Sequence, residues 1–201
     1  MRVRALGRVA YEPTWRAMRS LTERRDAASE DELWLLEHPP VYTLGLAGRR
    51  EHVLDPGAIP VVSTDRGGQV TYHGPGQAVA YAMLDLRRHS LGVKELVRRL
   101  EQAVIDVCAG YGIASARRAG MPGVYVSGAK IAAVGLRIAR GCSYHGIALN
   151  ADLDLAPFAR IDPCGYPGLA CTRLADHGVR DSIETLHGKL AESLERCLTA
   201  T

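Results

Sequence analysis

Aromatic residues are scarce in this chain of 201 residues, with one Phe and two Trp beside eight Tyr. That argues against the interleaved ring platforms on which single-stranded nucleic acid stacks. Lysine is also rare: Lys94, Lys130 and Lys189 are three among 25 basic residues. The arginines fall in scattered pairs, Arg24–Arg25, Arg49–Arg50, Arg87–Arg88, Arg98–Arg99 and Arg117–Arg118, and the formal charge is +3. Such a surface can favour an acidic partner but is no DNA-binding stripe, so no nucleic acid is expected. No apolar run approaches a membrane span, and "MRVRALGRVAYEP" lacks the features of a signal peptide. Five cysteines, an odd number at irregular spacings, point to reduced thiols in a cytoplasm. Without Cys-x-x-Cys or His-x-x-x-His spacing, a zinc site is not expected. Phosphate loops are missing too. No Gly-Lys-Ser/Thr follows a glycine run, and no Gly-x-Gly-x-x-Gly opens a helix.

What is present reads as one domain over residues 1–201. Thr14 can cap a helix running to about Ala28, with Trp15, Met18 and Leu21 on one side. "ELWLLEH" and "VYTLG" are strands broken by Pro39–Pro40, and "PVVST" is a third. "QAVAYAMLDL" reads as a strand covered on both faces. Helical spacing runs from Val93 to Ala109, ended by Gly110 and Gly112. "GVYVSGAKIAAVGLRI" is a hairpin turning at Ser127–Gly128, "YHGIALNADL" a further strand, and Pro157 to Gly168 a loop. Asp181-x-x-Glu184 resembles a capping box before a last helix with Ile183, Leu186, Leu190, Leu194 and Leu198 inward. Many strands with few, unevenly spaced helices predict an α+β fold with a mixed or antiparallel sheet.

Chemistry concentrates in few places. Cys108 and Cys197 lie on apolar helix faces, Cys142 at a turn and Cys171 in neutral surroundings. Cys164, in "IDPCGYPGLA", sits between Pro163, Gly165 and Pro167, where a thiol can be exposed yet fixed; it is either a nucleophile or an inert loop thiol. A nucleophilic thiol needs a positive neighbour to become thiolate. Strand alternation puts Lys130 on the side of Ala132, Val134, Leu136 and Ile138. There it would be desolvated and able to accept a proton, unless it snorkels to water past the turn. By the same alternation His145 joins Ile147 and Leu149 as a core histidine, while His73 can contact a ligand or close a turn. "RGGQVTYHGPGQ" leads into a strand, and its bare backbone suits close passage of something long and thin.

Together "EHPPVYTLGLAG", "RGGQVTYHGPGQAVAYAMLDL", "GAKIAAVGLRI", "SYHGIALN" and "IDPCGYPGL" resemble the octanoyltransferases of lipoate biosynthesis, in order from about Val9 to Thr172. The resemblance implies the α+β fold of the biotin/lipoate protein ligases, a mixed central sheet flanked by helices. It implies that Cys164 takes the acyl group and that Lys130 lowers its pKa. The implied substrate cleft comprises Arg66, Gly67, Gly68, Gln69, Val70, Thr71, Tyr72 and His73, then Ala132, Ala133 and Val134, then His145, Gly146 and Ile147. Implied partners are octanoyl-acyl carrier protein, the lipoyl domains of 2-oxoacid dehydrogenase E2 subunits and the glycine cleavage H protein, with no cofactor. Met18, where a glutamine is common, and Pro167 are departures. The rival readings are an ATP-dependent lipoate or biotin ligase on the same fold, and a non-catalytic acyl-carrier-binding module.

Overall fold

A computed structural model describes residues 1–199, apart from the side chain of Cys164. Among the described residues the strands form two sheets. The larger is built from β1 (Arg2–Arg8), β2 (Glu32–Glu37), β6 (Gln77–Met83), β7 (Ala116–Arg118), β8 (Met121–Val126), β9 (Ala129–Ala139) and β10 (Cys142–Asn150), in the spatial order β1-β2-β6-β10-β9-β8-β7. β1 runs parallel to β2 and the other pairs are antiparallel, so the sheet is mixed. β3 (Val41–Leu44), β4 (Val61–Ser63) and β5 (Val70–His73) form the smaller sheet, ordered β4-β3-β5.

Alternation in the central strands divides the core. Leu33 and Leu35 of β2 and Ala78, Ala80 and Ala82 of β6 face α2 (Val93–Gly110) and α3 (Ile183–Thr199). Trp34, Leu36, Val79, Tyr81 and Met83 face α1 (Tyr11–Arg24) through Met18. Covering both faces explains why β6 is buried at every position and why its sequence does not alternate. Leu96, Leu100 and Val104 of α2 and Leu186, Leu190, Leu194 and Leu198 of α3 are buried, each contributing about 1.5–3 kcal/mol relative to exposure. Residue 18 fills the α1 face as a fully buried methionine.

Three local readings change. α1 begins at Tyr11 after Ala10, with Thr14 already inside it, its Oγ1 donating to the Ala10 carbonyl at 2.8 Å. The helix ends at Arg24 rather than near Ala28 because Arg25 turns inward to the Glu30 and Met83 carbonyls and the Asp31 carboxylate. Ser182 accepts from the Thr185 N–H at 3.3 Å, while Asp181 pairs with Lys189 at 2.8 Å. β1 and β7, absent from the sequence reading, are edge strands with mostly exposed side chains, so burial left no period in them to read. Among the described residues no helix is long and apolar enough to cross a membrane.

Candidate active site

A slot of about 50 Å³ opens on the α1 face of the large sheet, between β6, β9 and β10 and the glycine-rich segment leading through β5. Arg66, Gly68, Gln69, Val70, Thr71, His73, Ala133, Val134, His145, Gly146 and Ile147 line it. Gly67, Tyr72 and Ala132 do not. Tyr72 packs beneath the small sheet on Tyr42 and Phe158, and Ala132 belongs to the α2/α3 core.

The glycine segment is bare chiefly to suit the chain itself. The Gly67 N–H donates to the Leu136 carbonyl at 2.8 Å, and a Cβ on Gly135 would stand 3.0 Å from the Gly67 oxygen. Arg66 staples the turn, donating to the Thr43 carbonyl at 2.6 Å, Thr43 Oγ1 at 2.8 Å, the Gly67 carbonyl at 2.9 Å and the Gln69 carbonyl at 2.7 Å. Across the slot a Cβ on Gly146 would lie 2.1 Å from the Ala80 oxygen, so glycine there lets β10 approach β6.

Lys130 is 4% exposed, so burial prevails over snorkelling. It does not share the face expected of it. Between the pairs Val124–Ala132 and Tyr125–Lys130, β9 has one more residue than β8. That bulge reverses the alternation: Ile131 and Ala132 both enter the α2/α3 core. Lys130 instead lines a small cavity with Thr71, Ala133, Asn150, Phe158, Pro163 and Cys171. Its Nζ donates to the Pro122 carbonyl at 3.0 Å and lies 5.3 Å from the Tyr125 ring centroid. Its N–H donates to the Ala170 carbonyl at 2.8 Å, and its own carbonyl accepts from Thr172 at 3.0 Å. Pro163 opens a 3-10 turn, Pro163–Gly165, that carries the Cys164 backbone. The Cys164 side chain, expected to be the nucleophile, lies outside the described residues. A Cβ on Gly165 would meet Gln69 Nε2 at 2.7 Å, and Gln69 Oε1 in turn contacts His52 Nδ1 at 2.6 Å. Cys171, in neutral surroundings by sequence, shares the lysine's cavity.

At the α1 side, rings gather around the slot wall. His145 has φ +62°, and this left-handed residue breaks the strand alternation. Its ring stacks on Tyr144 and Tyr11 and meets Tyr81 edge-on, away from the expected company of Ile147 and Leu149. Asp65 accepts from His145 Nε2 at 3.1 Å, Trp15 Nε1 at 2.7 Å and the Tyr144 hydroxyl. Burial would raise the Asp65 pKa, but these donors prevail and hold it down at about 2. With Nε2–H directed at a carboxylate, the neutral ring leaves Nδ1 as an acceptor. That atom is buried without a hydrogen-bond partner among the described residues. His38 donates Nδ1–H to the Val9 carbonyl and accepts from the Tyr81 hydroxyl, both at 2.7 Å. His73 Nδ1 meets Gln77 Oε1 at 2.7 Å. Among the described residues no three His, Cys, Asp or Glu side chains are placed to hold a metal.

A slot of this shape on a mixed sheet invites comparison with known families. A family model described as the lipoyl protein ligase A/B catalytic domain matches residues 10–195. The chain belongs to this family. An octanoyltransferase of Thiobacillus denitrificans is 61% identical over 98% of this chain and 90% of its own length. Among solved structures, a bi-partite lipoate protein ligase from Thermoplasma acidophilum matches with a TM-score of 0.74 at 15% identity, covering 98% of this chain and 83% of that one. The biotin protein ligase of Aquifex aeolicus in complex with biotin and ATP gives 0.63 at 13%, covering 98% and 70%. At such identities these likenesses show the fold, and it is the biotin/lipoate ligase architecture expected.

This lipoyl protein ligase A/B domain also places residues in its slot that sequence reasoning missed: Tyr11, Val79, Tyr81, Gly135 and Ala148. Tyr81 carries a signal, as the one hydroxyl in a doubly covered strand that is otherwise apolar after Gln77.

The buried histidines predict a fold that loses stability in acid. Burial pushes His38 down to about 4, and burial with the neighbouring His38 charge pushes His73 down to about 3. Both lie below the ordinary value near 6.5, so the unfolded chain binds protons that the folded chain refuses. Stability is complete above pH ~6.5 and falls as pH drops toward the folded values. Melting temperature should decline steadily from pH 6.5 to 4, and His38→Gln should flatten that slope. An unchanged slope would mean that His38 accepts its proton without strain.

Proposed function

We propose that the chain is an octanoyltransferase that carries the acyl group on Cys164, with Lys130 as the group that keeps the thiol reactive. One observation bears most weight: Thr71 and Ala133 line both the slot and the small cavity where Lys130 meets Pro163. A narrow apolar channel, a buried amine and the turn bearing the cysteine are thereby contiguous. The 61% identity to a protein named octanoyltransferase supplies the acyl group.

The chemistry is a two-stage transfer. The Cys164 thiolate attacks the thioester carbonyl of octanoyl-acyl carrier protein; a new C–S bond forms, the old one breaks, and the carrier leaves as a thiol with the proton that the Lys130 ammonium gives up. A lysine ε-amine of a lipoyl domain then attacks the enzyme thioester. The C–N bond forms, the Cys164 C–S bond breaks, and Lys130, neutral since the first stage, accepts the amine proton, which restores the thiolate and ammonium. Thioester exchange is nearly isoenergetic and the amide is the more stable product, so the sequence runs without ATP. Slot residues Val70, Val134, Gly146 and Ile147 accommodate the chain, and Arg66 and Gln69 keep the glycine segment in place beside the cysteine turn. The acceptors are lipoyl domains of 2-oxoacid dehydrogenase E2 subunits and the glycine cleavage H protein, and the reaction belongs in the cytoplasm.

The deciding experiment mixes the enzyme with octanoyl-acyl carrier protein and no nucleotide, then adds a lipoyl domain, reading both proteins by intact mass. Octanoyl should appear on the enzyme first and then on the domain. Acylation of the domain only from free octanoate with ATP would instead make the chain a ligase, and binding without any adduct would make it a carrier-binding module.

A further inference from the structure

Glu101 lies in the middle of α2 and is 4% exposed, an unusual depth for a carboxylate. It is fully engaged. Oε2 accepts from Arg117 Nε at 3.1 Å, and Oε1 accepts from the Gly123 N–H at 2.8 Å. Arg117 is itself fastened to the helix, donating to the Arg98 carbonyl at 2.7 Å and to Gln102 Oε1 at 2.9 Å.

The Gly123 N–H and the Pro122 C=O belong to one peptide unit. The carbonyl end of that unit accepts Lys130 Nζ at 3.0 Å, and the amide end is held by Glu101. Gly123 has φ +127°. A Cβ there would stand 2.5 Å from the Ala132 oxygen, 3.2 Å from Lys130 Cε and 3.4 Å from its Nζ. The lysine stem thus lies along a bare strand position whose peptide plane a buried charge fixes from the opposite side of the sheet. A carboxylate on the N–H also polarises the amide, which makes its carbonyl a better acceptor for an ammonium.

We propose that Glu101 is a positioning residue for Lys130, acting through the Pro122–Gly123 peptide. The inference rests on the role given to Lys130 above. Glu101 touches neither thiol nor substrate; it sets the orientation of the carbonyl that holds the amine beside the cysteine turn.

Two substitutions separate reach from charge. Glu101→Asp keeps the charge facing Arg117 but is one methylene too short for Gly123, whereas Glu101→Gln keeps an oxygen at Gly123 and loses the charge. The readout is the pH dependence of Cys164 alkylation by iodoacetamide in the full chain, with fragment masses separating adducts at Cys164 from those at Cys171. Circular dichroism verifies folding, and Lys130→Met serves as the reference. Glu101→Asp should raise the midpoint by about one pH unit, roughly a tenfold loss of thiolate below it. Glu101→Gln should move it less. If Asp at that depth prevents folding, Glu101→Ala provides the same measurement. A folded Glu101→Asp or Glu101→Ala with the wild-type midpoint, while Lys130→Met shifts it, overturns the inference. So does a Glu101→Gln shift as large as that of Glu101→Asp. If Lys130→Met leaves the midpoint unmoved, the role of Lys130 itself fails and that of Glu101 falls with it.

Discussion

Cys164→Ser should reduce octanoyl transfer by about 10³-fold or more, the scale on which losing a nucleophile acts, while melting at nearly the wild-type temperature. Serine is close in size to cysteine, so packing changes little. Its hydroxyl, however, stays protonated at neutral pH, where a thiol beside an ammonium does not. Intact-mass spectra of the variant with octanoyl-carrier should contain no acyl adduct, whereas the wild type gains one. Cys171 makes this a real test, because it shares the Lys130 cavity. An adduct that persists in Cys164→Ser and vanishes in Cys171→Ser would move the nucleophile seven residues along the chain.

Lys130→Arg should be nearly as damaging, lowering kcat/KM by ~10²–10⁴, the usual weight of a general acid–base group. A guanidinium preserves the charge but titrates far too high to accept a proton. It is also too broad for the place: Lys130 runs against bare Gly123, and a planar fork has no room beside that peptide. Lys130→Met fits the space better but supplies no charge, so it should raise the alkylation midpoint of Cys164 as well as slow turnover. Near-normal rates in both variants would leave Lys130 with a packing role only.

The residues of the candidate site stand out by identity in the sequence, whereas their facing does not. The glycine run, the isolated lysine, the proline-held cysteine and the two histidines each stood out chemically, and slot, cavity and turn bring most of them together. The readings that failed did so where the backbone departs from its regular repeat. A bulge at Ile131 turns Lys130 away from Val134 and Leu136, and the left-handed φ of His145 swings its ring toward Asp65. Alternation is a period-two rule, and one extra residue or one positive φ inverts it. Nothing in "GAKIAA" or "SYHGIA" announces either event. The fold was more legible because its central strands and long helices repeat regularly. Its exposed edges, β1 and β7, were not. The bare glycine segment suggests room for a guest, and much of that room is used by Gly45, Leu136 and Gly135 of the chain itself.

The turn bearing Cys164 is moored at both ends. Before it, the Asp162 N–H donates to the His52 carbonyl, and Val53 bridges Ile161. After it, Ala170 and Thr172 bracket the Lys130 backbone. Residues 163–169 therefore form a handle whose second rivet is the very residue assigned to tune the sulfur. Lengthening a moored arc carries little entropic penalty, so the span around Tyr166 and Pro167 can change in length or stiffness while both attachments stay put. Evolution can thus reshape the approach to the cysteine without rebuilding the two sheets behind it.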